Sequence, residues 1–263
     1  MIFAILNAIF TILITGSEIM KQKLFMDVAE CCTNKDILIE ERKTNEVLIK
    51  HYLLDKKTGK NLKKDEGDFF SVNFTEEILF SKQNIILKEV IKILKSFFKK
   101  YNTKKTLIIG LGNSFIEADS IGVKTTNKII ATNHYNDFLT IPKIALFNPE
   151  VTEKTGINSF NLIKLVVKDI NPECIIIIDA LATSNKKFLN RCIEINDTGI
   201  IPGSALRDNR EINKKTFNIP VISIGVPVVF EIEDSLYATP NVHEINNLIS
   251  DIISSALNNI FLS

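Results

Sequence analysis

The sequence is short of the groups on which most enzyme chemistry depends. Its four cysteines, Cys31, Cys32, Cys174 and Cys192, form no CxxC motif and have no histidine beside them to complete a zinc ligand set. Its three histidines, His51, His134 and His243, are scattered without metal spacing, and no G-x-S-x-G nucleophile elbow occurs. A histidine-based metal centre and a serine or cysteine triad are therefore both unsupported. Neither charge sign dominates, with 32 Lys and Arg against 31 Asp and Glu, which argues against a nucleic-acid coat or a binder of acidic polymers. The local basic run from Lys56 to Lys64 reads as a solvated face. Internal repeats and low-complexity linkers are absent as well.

A hydrophobic run long enough to cross a membrane is also missing. The first 16 residues, MIFAILNAIFTILITG, are apolar but fall short of the ~20 residues of a spanning helix. They lack a basic n-region and a small-residue cleavage site. The expectation is an over-extended start, with Met20 or Met26 beginning the working protein and residues 1–25 set apart as an apolar extension. Membrane contact follows only if that run is real. Adjacent Cys31 and Cys32 are poorly placed to bridge each other, and Cys174 reads as a small core residue at a strand start, so a reduced cytosolic compartment fits.

What is present is a core-forming chain of 263 residues, 45% of them apolar. Ile37–Glu41, Glu46–Leu54 and Phe69–Phe74 are rich in strand formers and are separated by Lys, Asn, Gly and Asp, which predicts an antiparallel meander. Ile86, Val90, Ile93, Leu94 and Phe97 recur at helical spacing in a segment ending near Lys100. From Thr106 the pattern becomes strand, loop and helix repeated. TLIIGLGN is followed by a helix around Ser120–Ala131, a strand near Lys143–Phe147, a helix from about Asn158 to Ile170, CIIII, the strand PVISIGV at Pro220–Val226, and a closing helix at Val242–Leu257. Apolar strands bracketed by helices imply an α/β fold, a doubly wound, mostly parallel sheet flanked by helices, behind a small N-terminal β meander. Residues 26–105 carry the meander and linking helix, and residues 106–263 the α/β core.

Two acids fall where such a sheet binds ligands. TLIIGLGN runs into a turn that reaches Asp119, and the strand Glu173–Asp179 is expected to stop on Asp179. Carboxylates delivered from different strands to the crevice beyond the strand ends make Asp119 and Asp179 a candidate catalytic dyad. Gly110, Gly112 and Asn113 follow the first strand, but the third glycine of a dinucleotide fingerprint is missing. The glycines read better as a sharp backbone turn at the crevice rim, whose N–H groups could face a developing oxyanion. Asp197, Thr198 and Gly199 spell the tripeptide of pepsin-like aspartic proteases in an α/β context. They read either as a turn whose Asp binds nearby amides or as a support of the substrate cleft.

Taken together, TLIIGLGN…ADSIG, EVTEKTGINS, IIIIDALA, NDTGIIPGSALRDNR and NIPVISIGVPVV resemble the germination protease family of endospore-forming bacteria. The order and spacing match over roughly Thr106–Val229, and Asn34–Glu41 is similar to the family's segment near its self-processing site. The resemblance implies an endopeptidase of the forespore or spore core that degrades small acid-soluble spore proteins on germination. It further implies a zymogen trimmed at its N-terminus, a homotetramer without direct nucleic-acid contact, a fold akin to the hydrogenase-maturation peptidases, and an aspartic mechanism using Asp119 and Asp179 with no cofactor. The sequence departs from the family pattern at Glu117 and Ala118, at Asp119–Val123 (DSIGV) and at Pro149–Glu153 (PEVTE). Two other readings fit the same residues. One is a metal-assisted peptidase in which the acids and a histidine such as His134 hold a divalent ion. The other is a catalytically silent binding relative.

Overall fold

Long runs of β-branched residues place two strands at the middle of a nine-stranded sheet. The structure is a computed structural model and describes residues 38–44, 46–62, 65–135, 141–200, 211–232 and 235–262. The apolar extension, Cys31, Cys32, the start of the Asn34–Glu41 segment and the Ile201–Arg210 loop lie outside the described residues. No helix among the described residues is long and apolar enough to cross a membrane.

The strands are β1 (Leu38–Thr44), β2 (Val47–Leu54), β3 (Gly67–Asn73), β4 (Lys105–Gly110), β5 (Lys143–Phe147), β6 (Cys174–Thr183), β7 (Cys192–Asn196), β8 (Val221–Ile232) and β9 (Ser235–Tyr237). They lie in the order β1-β2-β3-β7-β8-β6-β4-β5, with β9 against β8. The expected α/β class and the antiparallel β1–β3 meander are both present. The sheet is mixed, however, because parallel pairing is confined to β5, β4, β6 and β8. Strand β7, which the sequence reading did not anticipate, runs antiparallel between β3 and β8 and joins the meander to the core in one continuous sheet.

The helices are α1 (Lys56–Leu62), α2 (Glu76–Ser81), α3 (Gln83–Tyr101), α4 (Ile121–Thr126), α5 (Thr152–Thr155), α6 (Ser159–Ile170), α7 (Lys214–Phe217) and α8 (Val242–Leu262). On one face of the sheet the apolar stripe of α3, Ile86, Val90, Ile93, Leu94 and Phe97, packs with Ile245, Ile249 and Ile253 of α8 over Ile176 and Ile178. On the other face Phe160 and Ile163 of α6 cover Ile175 and Ile177. Successive residues of β6 thus feed opposite cores, which is why the strand carries no polar alternation until Asp179. Truncating a side chain at the centre of such a layer, as in Leu94→Ala, costs about 2–5 kcal/mol.

Two boundaries differ from expectation. Helix α4 ends at Thr126 rather than near Ala131. Its last residues turn their hydroxyls back onto Ile121 O at 2.7 Å and Gly122 O at 3.1 Å, a competition that weakens a helix end. Strand β6 does not stop on Asp179 but continues to Thr183, because β8 stays paired with it through Phe230. Its other neighbour ends earlier, since the last residue of β4, Gly110, lies opposite Ile178. Asp179 is therefore the first residue of β6 without a β4 partner. From β4 the chain passes to β5 on one side and later to β6 on the other, so the gap above Gly110 is the switch point at which open α/β sheets bind ligands.

Candidate active site

The turn after β4 is built to bring a carboxylate back over that gap. Leu111 N–H still bonds Ile178 O at 2.9 Å, so the chain leaves the sheet only after one more residue. Gly112 then takes φ +112°, and a Cβ there would collide with the carbonyl oxygen of Asp119. Asn113 N–H closes the loop by donating to Asp119 O at 3.0 Å and to Asp119 Oδ2 at 2.9 Å. A short 3-10 turn, Glu117–Asp119, presents the side chain. Gly110 and Gly122 pack backbone to backbone beneath it, each lacking room for a Cβ. The glycines and Asn113 thus position Asp119. The amides of Leu111 and Asn113 are already committed, to Ile178 O and to Asp119.

Asp179 is buried, 8% exposed, and its Oδ1 accepts from Ala180 N–H at 2.9 Å. Burial is the first cause that pushes its carboxyl well above the ordinary range. The charge of Asp119 is the second, and the Ala180 amide opposes both. Asp119 is pushed up to about 6, again chiefly by burial, with the Asn113 amide lowering it and the charge of Glu150 raising it. The charge of Asp119 thus reaches Asp179, and among the described residues neither carboxyl meets a cation. A pair so placed binds one proton more readily than it ionises twice, and it titrates as a unit.

Asp197, Thr198 and Gly199 do not join this pair. Strand β7 runs the other way: Glu194 lies opposite Gly225, which in turn lies opposite Asp179, whereas Asn196 lies opposite Ser223 and hence Ile177. Asp197 is thus two strands over and below Asp179, more than roughly 10 Å away by strand spacing and rise. It accepts Lys100 Nζ at 2.6 Å, Tyr101 Oη at 2.5 Å and the Asp68 amide at 2.7 Å. Asp68 is bound in turn by Lys100 at 2.7 Å and His51 Nε2 at 2.8 Å. The tripeptide therefore belongs to an ion-pair staple between α3, β2, β3 and the end of β7, which agrees with its reading as a structural turn.

His134 is likewise remote. Thr132 and Asn133 bond Ile144 O, which is level with Thr106 near the start of β4, at the opposite end of the strand from Asp119. Among the described residues no group of three or more His, Cys, Asp or Glu side chains is arranged to hold a metal ion. Cys174 is a buried core residue at the first position of β6, as expected, and burial pushes its thiol up to about 12.

Three acids near the pair escaped the sequence reading as site residues. Glu150 bonds Ser114 N–H at 3.1 Å and raises Asp119 electrostatically. Glu117 anchors the 3-10 turn to α4 and α8. Glu194, 3% exposed, shares a row of the sheet with Asp179 across Gly225. The alternation Cys-Ile-Glu-Ile-Asn at 192–196 was the available signal for β7 and hence for Glu194.

A family model described as germination protease matches residues 14–237 of the chain. A germination protease of Geobacillus sp. is 31% identical over 214 residues, which is 74% of this chain and 56% of that protein. The germination protease of Clostridium tetani is 33% identical over 188 residues, 68% of this chain and 58% of that protein. The chain spans a little over half the length of the curated relatives it matches. Among solved structures, the hydrogenase maturation protease HycI from Thermococcus kodakarensis gives a TM-score of 0.39 at 16% identity, covering 64% of this chain and 99% of its own.

Proposed function

This chain belongs to the germination protease family, and we propose that it is an endopeptidase that degrades small acid-soluble spore proteins during germination, with Asp119 and Asp179 activating water. The observation that carries the reading is the convergence of two carboxyls, Asp179 buried and Asp119 half-buried, neither meeting a cation among the described residues, at the switch point of the sheet. In the working state Asp119 is ionised, its Oδ2 held by the Asn113 amide. It takes a proton from a water molecule as that water attacks the peptide carbonyl. Asp179 keeps its proton and polarises the carbonyl oxygen, and as the tetrahedral intermediate collapses Asp119 passes the proton it took from water to the leaving amine, which restores the starting protonation of the pair. Two identical side chains act as base and acid because one shared proton separates their apparent pKa values.

Family membership also supports synthesis as a zymogen trimmed at its N-terminus, assembly as a homotetramer, and residence in the spore core without direct nucleic-acid contact or a cofactor. Mass measurement during germination and light scattering check the first two. The central test is cleavage of a small acid-soluble spore protein, with and without chelator, by wild-type, Asp119→Asn and Asp179→Asn proteins. Chelator-resistant cleavage that is lost in both folded variants supports the pair. Chelator-sensitive cleavage points to a metal-assisted peptidase, and absent cleavage by folded wild-type protein points to a silent relative.

A further inference from the structure

The turn that carries Asp119 is gripped from two sides, and both grips fall in segments where the sequence departs from the family pattern. On one side, Ser114 N–H donates to Glu150 Oε2 at 3.1 Å. Lys154 Nζ bonds Glu150 Oε1 at 2.9 Å and Ser114 Oγ at 2.5 Å. Glu150 itself sits at φ +59°, a left-handed backbone that a glutamate rarely adopts and that persists only where surrounding contacts hold it. On the other side, the Glu117 carboxylate takes Lys124 Nζ of α4 on one oxygen and His243 Nδ1 of α8, at 3.1 Å, on the other. The Glu117 carbonyl accepts Asn246 Nδ2 at 2.7 Å and Ser120 Oγ at 2.8 Å. Lys124 is fixed in turn by Asn247 Oδ1 at 3.1 Å.

We propose that Glu150 and Glu117 are positioning residues, two acid–lysine clamps that hold the Asn113–Ser120 turn between the segment after β5 and helix α8 and so set the approach of Asp119 to Asp179. The inference rests on the aspartate pair performing the chemistry. Neither clamp touches substrate. Each acts through the turn, and a shift of ~1 Å in a reacting group is enough to lower turnover by about 10²-fold. Among the described residues the charged groups facing the turn are Glu150 and Lys154 beyond β5, Lys124 on α4, His243 on α8, and Asp179 on β6.

The two clamps differ in one readable way. Glu150 bears on Asp119 electrostatically as well as mechanically, whereas Glu117 is absent from the charges that shift Asp119. Glu150→Gln should lower kcat by roughly 10-fold to 100-fold with KM little changed, and should move the acid limb of the pH–rate profile to lower pH. Glu117→Gln should lower kcat by a similar factor and leave that limb in place. Lys124→Arg should retain activity that Lys124→Met loses. Carboxyl titration of Asp119 by carbon-13 NMR in the Glu150→Gln protein gives a readout independent of turnover: the clamp requires a downward shift. If Asp119→Asn is inactive while Glu150→Gln and Glu117→Gln both keep wild-type kcat, the clamps are overturned and the aspartate pair stands. If wild-type protein cleaves nothing, an unmoved Asp119 titration in Glu150→Gln overturns the Glu150 clamp on its own.

Discussion

Two clusters of aspartate lie in one sheet and are treated in opposite ways. Asp197 and Asp68 receive Lys100, Tyr101, His51 and a backbone amide, and these partners hold Asp68 down at about 2, with the His51 hydrogen bond the largest cause. Asp119 and Asp179 receive one amide each, burial pushes both up, and the charge of Asp119 raises Asp179 further. The same side chain is held ionised where a cation meets it and is pushed towards its protonated form where burial acts without one. The difference is set by position. Helix α3 ends at Tyr101 and delivers two donors to the lower edge of the sheet, while at the crevice above Gly110 the amides of Asn113 and Ala180 are the donors to the two carboxyls among the described residues.

The largest expected effect of removing a member of each cluster differs in kind. Asp119→Asn and Asp179→Asn should each lower kcat by about 10²–10⁴-fold and leave the fold intact. Both carboxyls have raised pKa values in the folded state. Both therefore cost stability at neutral pH, Asp119 by being ionised against burial and Asp179 by taking up a proton on folding, and for Asp119 the cost fades as pH falls through about 6. Asp119→Asn should accordingly melt a few degrees higher than wild type at pH 7, with the gain shrinking below pH 6. Lys100→Met should do the reverse, costing about 1–3 kcal/mol by removing the cation that Asp197 and Asp68 share, while leaving kcat per folded molecule unchanged.

Smaller effects sharpen the contrast. The stabilisation from Asp68 has the opposite pH sign: with its folded pKa lowered to about 2, its contribution is complete above the unfolded value near 4 and is lost as pH falls towards 2. Melting temperatures of wild type and Asp68→Asn should therefore stay apart at pH 5–7 and converge only in strong acid. The smallest change expected is from Asp251→Asn. Its partner Lys128, at 2.7 Å, forms a pair exposed to solvent, so calorimetry should show a loss below about 0.5 kcal/mol.

Much of the fold was legible because apolar periodicity marks buried elements. The amphipathic spacing of Ile86 to Phe97 located α3, and the unbroken CIIII run located β6. The end of β6 was not legible, because Asp179 looked like a stop signal. What keeps the strand extended is its pairing with β8, a contact between residues some 46 positions apart, as Asp179 and Gly225 are. Strand β7 is short and its alternation brief, so the antiparallel join between meander and core left little trace. At the site, Asp119 and Asp179 were found from strand ends and a family resemblance. The role of Asp197 was open because its donors, the Lys100 ammonium and the Tyr101 hydroxyl, arrive from a helix nearly a hundred residues earlier. Glu117 and Glu150 were visible only as departures from a pattern until the turn between them was seen.

The most direct measurement is a carbon-13 titration of the carboxyls of Asp119 and Asp179 in wild-type protein. A shared-proton pair predicts one apparent pKa near 6 and a second well above the ordinary carboxylate range, the upper one falling when Asp119 is replaced by Asn. Two independent titrations near 4, unaffected by that replacement, would contradict it.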